Sequence, residues 1–289
     1  MKTLVVLLGP TGVGKTDLSI EIARSFDTSI ISCDSRQIYK EMQIGTAVPA
    51  KEQLAAVQHF FIQTISVRDY YNSWQFEVEA LSAIRKLFES RDVVLMTGGS
   101  MLYIDAVCKG IDDIPTIAPE LRVELMEIFE KQGLEPIRAM LKELDPVFYG
   151  QVDLNNGKRV LHAVEVCKMA GVPYSSLRTH TPKDRGFNII RIGLNRAREE
   201  LYDRIDRRVD LMLEEGLEDE ARGLHPLRHL NALNTVGYKE FFDYFENKTD
   251  YDEAVRLIKR NSRRYARKQL SWFRRDQDIC WFHPDQQTE

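Results

Sequence analysis

Eight residues near the start of the chain, Gly9-Pro10-Thr11-Gly12-Val13-Gly14-Lys15-Thr16, constrain its fold more than any other stretch. They satisfy the pattern GxxxxGK[ST], directly after the apolar run 4–8 and directly before a helical pattern marked by Leu18, Ile20, Ile22 and Ala23. In that setting the pattern predicts a strand, a phosphate-holding loop and a helix, the arrangement known as a P-loop. The glycines free backbone N–H groups to converge on phosphate oxygens, the helix start adds partial positive charge and Lys15 adds a full one. The Thr16 hydroxyl is placed to hold Mg²⁺.

Three further apolar runs, 29–33, 93–97 and 189–194, are bounded by Gly, Asp or Asn and separated by helical pattern. Such spacing predicts a parallel sheet with helices on both faces, an α/β core of the P-loop NTPase-like kind. The interval 110–186 carries amphipathic segments at 120–131, 136–144 and 158–169, divided by Gly133, Pro146, Gly157 and Gly171 to Pro173, and no convincing strand. It reads as a small all-helical insertion. The expected division is a discontinuous core, 1–111 with 187–289, and an inserted domain, 112–186. After the fourth run only helices are expected, at 196–222, 239–245 and through a basic stretch near the end.

With 289 residues, 43% of them hydrophobic, the chain is long enough to bury a core. No run approaches the roughly 18 to 20 apolar residues of a membrane span, and the start is too short for a signal peptide, so a cytoplasmic protein is expected. Cys33, Cys108, Cys167 and Cys280 lie far apart, which speaks against a zinc ribbon or a disulfide framework and for ordinary core residues. The net charge of -4 conceals one strongly positive field. Between 256 and 275 stand nine basic residues and no acid, with Val255, Ile258, Tyr265, Leu270 and Phe273 at helical spacing. This is either a solvated helix face or a surface for a polyanion.

A P-loop names a phosphate chain, not a reaction. Asp34 ends the second strand, on the edge where open α/β sheets bind ligands, so it is placed to act as a general base; a turn-capping role is the alternative. The third strand ends in Gly98-Gly99-Ser100 and not in the acid of a Walker B strand. No DxxG occurs, and Asn247-Lys248-Thr249-Asp250, a formal match to the guanine-reading NKxD, follows a helix where a strand is required. Arg208 falls in the apolar stripe of Leu201, Ile205 and Met212, where it either snorkels outward or meets a buried anion.

Taken together, these residues resemble the tRNA dimethylallyltransferases of bacterial type, enzymes that prenylate an adenosine beside the anticodon. The resemblance covers nearly the whole chain. It rests on the GPTxxGKT loop, Asp34-Ser35-Arg36-Gln37-Ile38-Tyr39, Ile44-Gly45-Thr46-Ala47, Gly98-Gly99-Ser100-Met101-Leu102-Tyr103, Asp145-Pro146, Lys158-Arg159-Val160-Leu161-His162-Ala163-Val164-Glu165, Val236-Gly237-Tyr238-Lys239-Glu240 and Arg264-Tyr265-Ala266-Arg267-Lys268-Gln269. It implies that Gly9, Pro10, Thr11, Gly12, Val13, Gly14, Lys15 and Thr16 hold the diphosphate of dimethylallyl diphosphate, with Mg²⁺ at Thr16. Asp34 then serves as the base, while Thr11 and Arg208 meet the departing diphosphate. Asp34, Ser35, Arg36 and Gln37 hold the target base. Ser100, Arg122, Lys158, Arg159, Val160, Leu161 and His162 contact the anticodon stem-loop of tRNA. Ser100 stands where many members have Thr, and His162 where many have Arg. No cysteine–histidine finger follows Trp281, as expected of a bacterial enzyme. A monomer is expected. Two rivals share parts of this pattern: a small-molecule or nucleotide kinase, which would turn over ATP, and a non-catalytic RNA-binding P-loop protein, which would have no use for Asp34.

Overall fold

A computed structural model describes residues 1–115, 117–179 and 181–285. Six strands, β1 (Thr3–Leu8), β2 (Ile30–Cys33), β3 (His59–Phe60), β4 (Val93–Gly98), β5 (Asn188–Leu194) and β6 (Ile279–Phe282), form one parallel sheet in the order β3-β2-β4-β1-β5-β6. The helices are α1 (Lys15–Ser25), α2 (Lys51–Ala56), α3 (Ser73–Phe88), α4 (Met101–Lys109), α5 (Pro119–Gln132), α6 (Glu135–Leu144), α7 (Pro146–Tyr149), α8 (Gly157–Ala170), α9 (Tyr174–Leu177), α10 (Arg198–Glu214), α11 (Leu217–Leu224), α12 (Lys239–Phe245) and α13 (Tyr251–Phe273).

Strand β1 is central, and its alternating side chains divide between two cores. Leu4, Val6 and Leu8 pack with Phe76, Ala80 and Ile84 of α3 and Ile104 and Val107 of α4, whereas Val5 and Leu7 pack with Ile20 and Ala23 of α1 and Leu201 and Ile205 of α10. Both faces of the strand are covered, which is why its sequence is continuously apolar instead of alternating. Helix α13 reaches both cores, Ala266 joining the α1–α10 side and Phe273 the α3–α4 side. Between these two residues the helix crosses the carboxyl ends of β1 and β4.

The chain divides into two compact units, Met1–Cys108 with Asp184–Glu289, and Lys109–Lys183. The boundaries expected from the sequence fall three residues after each of these. The smaller unit has its own core, in which Leu125, Ile137, Leu141, Phe148, Val160, Leu161 and Val164 meet. Asp145 is fully buried there, and it is satisfied: its carboxylate accepts the Phe148 N–H at 2.9 Å, the Ser175 N–H at 2.6 Å and the Ser175 hydroxyl at 2.8 Å.

Three expectations need correction. The last segment is not purely helical, because Ile279–Phe282 adds edge strand β6 beside β5. Four residues are too few to show a period, and pairing with β5 is what makes them a strand; the two-residue β3 was missed for the same reason. The single helix expected at 196–222 is two, α10 and α11, broken where Gly216 adopts φ +99°. Finally, Cys33, Cys108 and Cys167 are buried, but Cys280 is exposed on β6.

Candidate functional site

The loop after β1 makes close approaches that a side chain would block. A Cβ on Gly9 would come within 2.7 Å of the Leu194 carbonyl oxygen, and one on Gly12 within 2.8 Å of Ile205. Three arginines from the far side of the crevice grip consecutive points of this loop. Arg208 of α10 donates from Nη2 to the Thr11 hydroxyl, Arg204 donates from Nε to the Gly12 carbonyl at 2.9 Å, and Arg196 from Nε to the Val13 carbonyl at 2.8 Å. Only Arg208 was anticipated. Arg204 precedes it by one helical turn on the same helix, and that spacing was the available signal.

Lys15 donates to the Gly9 and Pro10 carbonyls at 3.0 and 2.9 Å. Burial pulls its pKa down to about 8, the Arg208 charge pushes the same way, and Asp34 opposes them. Arg208 is likewise lowered, by burial first, with Asp34 opposing and Arg204 adding to the effect. Its Nε is buried with no hydrogen-bond partner among the described residues. A buried guanidinium that lacks an anion is expensive, so the loop and α10 together gather a cationic cluster suited to a phosphate chain.

The Asp34 charge acts on both Lys15 and Arg208, so the carboxylate lies close to this cluster. Its Oδ1 accepts the N–H groups of Arg36, at 2.8 Å, and Gln37, at 3.3 Å. Both sequence alternatives hold at once: one oxygen caps a turn, and Oδ2 makes no hydrogen bond among the described residues. Ser100 is 6% exposed, and its hydroxyl accepts the Ser35 N–H at 2.8 Å and donates to the Ser35 hydroxyl at 3.1 Å, so it ties the end of β4 to the turn after β2. Burial, with the Asp34 charge next, pushes the phenol of nearby Tyr265 up to about 12. At 37% exposure Tyr265 is not part of the buried face of α13, which consists of Ala254, Ile258, Ala266, Gln269 and Phe273. Gln269 was missed as well. Its amide accepts the Thr11 N–H at 2.9 Å and donates to the Gly99 carbonyl at 2.8 Å, stapling the phosphate loop to the turn after β4. A glutamine on the apolar face of a basic helix was the one sign of it.

The basic helix is less free than its sequence implies. Arg256 pairs with Glu253, Lys259 with Asp210 and Arg263 with Asp206, and Arg275 lies over the Trp272 ring at 4.1 Å. Arg260, Arg264, Arg267, Lys268 and Arg274 form no ion pair among the described residues. The match to NKxD is explained by Asp250, whose side chain caps α13 at the Glu253 N–H.

In the inserted unit Lys158 and Arg159 are exposed, and the His162 side chain is 46% exposed. Val160 and Leu161 are not available for the RNA contact expected of them, because they turn into the unit's core at 0% and 8% exposure. Consecutive residues of a helix cannot all share its outer face. Arg122 is held by the buried Glu165, with Nε 3.0 Å from Oε1, and His162 approaches the same carboxylate at 3.5 Å. Among the described residues no three His, Cys, Asp or Glu side chains gather as a metal site, and no helix is long and apolar enough to cross a membrane.

The family model for IPP transferase matches residues 37–276. The chain belongs to this family. The match begins after the phosphate loop and Asp34, but similarity to full-length relatives includes both. A tRNA dimethylallyltransferase 2 of Parabacteroides distasonis is 59% identical over 99% of this chain and 96% of its own length, and a tRNA dimethylallyltransferase of Christiangramia forsetii is 48% identical over 99% and 95%. Among solved structures, a full-length tRNA isopentenylpyrophosphate transferase from Bacillus halodurans is 34% identical with a TM-score of 0.71, covering 98% of this chain and 90% of that one. A eukaryotic dimethylallyltransferase caught acting on tRNA superimposes with a TM-score of 0.80 at 26% identity, over 94% of this chain and 70% of that one. Membership in the IPP transferase family favours a transferase over the kinase alternative.

Proposed function

We propose that this chain transfers a dimethylallyl group from dimethylallyl diphosphate to N6 of the adenosine 3′-adjacent to the anticodon, in tRNAs reading codons that begin with U, and that it acts as a monomer. The observation that carries the reading is an Asp34 oxygen with no hydrogen bond among the described residues, close enough for its charge to act on the phosphate-loop cations Lys15 and Arg208. An exocyclic amine is a poor nucleophile until its proton has an acceptor, and Asp34 Oδ2 supplies one. As the N6–carbon bond forms, the allylic carbon–oxygen bond breaks and its electron pair leaves with diphosphate. The amine proton passes to the carboxylate. Lys15, Arg208 and the loop N–H groups receive the charge gathering on the leaving group. Ser35, Arg36 and Gln37 sit on the turn capped by Asp34, where they are placed to hold a base that has left the anticodon-loop stack.

The donor set is consistent with Mg²⁺. The Thr16 hydroxyl makes no hydrogen bond among the described residues and no carboxylate cluster competes with it, so the ion would be held by Thr16 and diphosphate oxygens and would neutralise leaving-group charge. Incubating the chain with unmodified tRNA, labelled dimethylallyl diphosphate and Mg²⁺ tests the reading directly. Label should enter the RNA with release of intact diphosphate. ATP turnover without RNA labelling would reverse it in favour of a kinase.

Two quantitative outcomes follow from the charges. With Arg260, Arg264, Arg267 and Lys268 of α13, Arg274 just beyond it and the exposed Lys158 and Arg159 available to phosphates, about four contacts would make tRNA affinity fall about fifty-fold between roughly 50 and 200 mM salt. An affinity indifferent to salt would contradict this. In the empty enzyme Lys15 loses its proton above about pH 8, whereas a bound diphosphate holds the ammonium charged. Binding therefore takes up a proton in that window. Equilibrium titrations at rising pH should show dimethylallyl diphosphate affinity steady below about 8 and weakening up to about tenfold per pH unit above it.

A further inference from the structure

A carboxylate far from Asp34 in sequence controls the turn that carries the base-holding residues. Glu220 of α11 occupies a concavity of three successive backbone N–H groups: its Oε2 accepts from Gln43 at 3.0 Å and Ile44 at 2.8 Å, and its Oε1 from Gly45 at 2.9 Å. The Tyr238 hydroxyl donates to Oε1 at 2.7 Å. Such a nest of amides ordinarily receives an anionic ligand, and here the protein's own side chain fills it. Tyr238 is fully buried, and burial together with Glu220 holds its phenol protonated far above the ordinary range, so it stays a donor. Gly45 lies close against Tyr238, where any Cβ would meet the ring edge and hydroxyl at 2.7 Å.

The loop fixed in this way ends at Thr46 and Ala47, and both carbonyls accept from the Gln37 side chain, at 3.0 and 2.8 Å from Nε2. Both amide protons of Gln37 are thereby engaged. Its Oε1 makes no hydrogen bond among the described residues, so the side chain presents an acceptor only. The backbone of Gln37 is held from two more sides, by Asp34 Oδ1 at its N–H and by the Gln63 N–H, 2.8 Å from its carbonyl. Ala47 and Gln63, whose backbones take part, are non-glycine residues at φ +52° and +51°. Strained backbone that persists around one side chain marks a position whose orientation matters.

We infer that Glu220 is a positioning residue for base recognition: by pinning loop 43–47 it turns the Gln37 amide so that only an oxygen remains to meet the substrate. An acceptor on the turn that Asp34 caps suits an exocyclic amine and repels the carbonyl that guanine carries at the same place. This inference rests on the transfer reaction proposed above.

A double-mutant cycle on the full chain tests it, using anticodon stem-loop RNA and dimethylallyl diphosphate. Glu220→Gln should lower kcat/KM for RNA by about tenfold to a hundredfold, as expected when a contact group is misplaced by about 1 Å. Affinity for dimethylallyl diphosphate should stay within about twofold, since the phosphate loop is held by other residues. In a Gln37→Ala background the same change should cost less than about threefold, because the group it orients is gone. Equal costs in both backgrounds, or parallel loss of diphosphate binding, would overturn the assignment while leaving the transfer reaction standing. Absence of prenyl transfer by the unaltered chain would remove the reaction and this role with it.

Discussion

Asp34→Asn should lower kcat for prenyl transfer by about 10²- to 10⁴-fold, the range expected when a positioned general base is removed. The substitution keeps an oxygen where Oδ1 accepts the Arg36 and Gln37 N–H groups, so the turn and the residues proposed to hold the base persist. What disappears is the second oxygen, and with it the proposed acceptor for the amine proton. RNA affinity should change by less than about threefold, because phosphate contacts supply most of it. Asparagine is the sharper test than alanine, which would also release the turn. Single-turnover transfer and equilibrium RNA binding, measured on the same preparation, separate the outcomes. Undiminished turnover, or RNA binding lost together with turnover, would refute the assigned role.

Arg208→Ala should cost about 10²- to 10³-fold in kcat, in line with removal of one preorganised donor to a developing anion. Lysine should not restore the rate, because a planar guanidinium can serve Thr11 and a phosphate oxygen together whereas an ammonium is a single point. Two further readouts distinguish this loss from misfolding. The guanidinium carries a buried, unpartnered Nε and is held in a lowered-pKa environment, so its removal relieves a desolvation cost and thermal stability should hold or rise. Arg208 also depresses Lys15, so the pH above which dimethylallyl diphosphate affinity weakens should move upward from about 8 in the variant. A fall in melting temperature with no displacement of that pH would mean that the arginine is structural.

How far the site could be read ahead of the fold depended on where its information lay. The phosphate loop is legible because its chemistry is local: glycines, Lys15 and Thr16 act through backbone geometry within eight residues, flanked by a strand and a helix of clear period. Arg208 was visible as a charge in an apolar stripe, and Asp34 as an acid ending a strand. Gln269 was silent, since its function is a pair of hydrogen bonds to Thr11 and Gly99, more than 150 residues away along the chain, and glutamine carries no charge to betray it. Glu220 was silent for the opposite reason, being one acid among many on a surface-like helix until Gly45 and Tyr238 close around it. Which charges of the basic helix are paired was silent too, because the acids of α10 that neutralise Lys259 and Arg263 lie in a different segment.

By itself the sequence determined the α/β class, the phosphate cradle and the cationic helix, all of which arise from periodicity and residue type acting over one or two turns of chain. Only the tertiary structure decided which groups share the crevice. It brought α10 and α13 onto the loop after β1, engaged one Asp34 oxygen in the turn and left the other without a hydrogen bond among the described residues, and turned Val160 and Leu161 inward. The physical reason is that hydrogen bonds and burial are properties of pairs distant in sequence, and no single segment contains both partners.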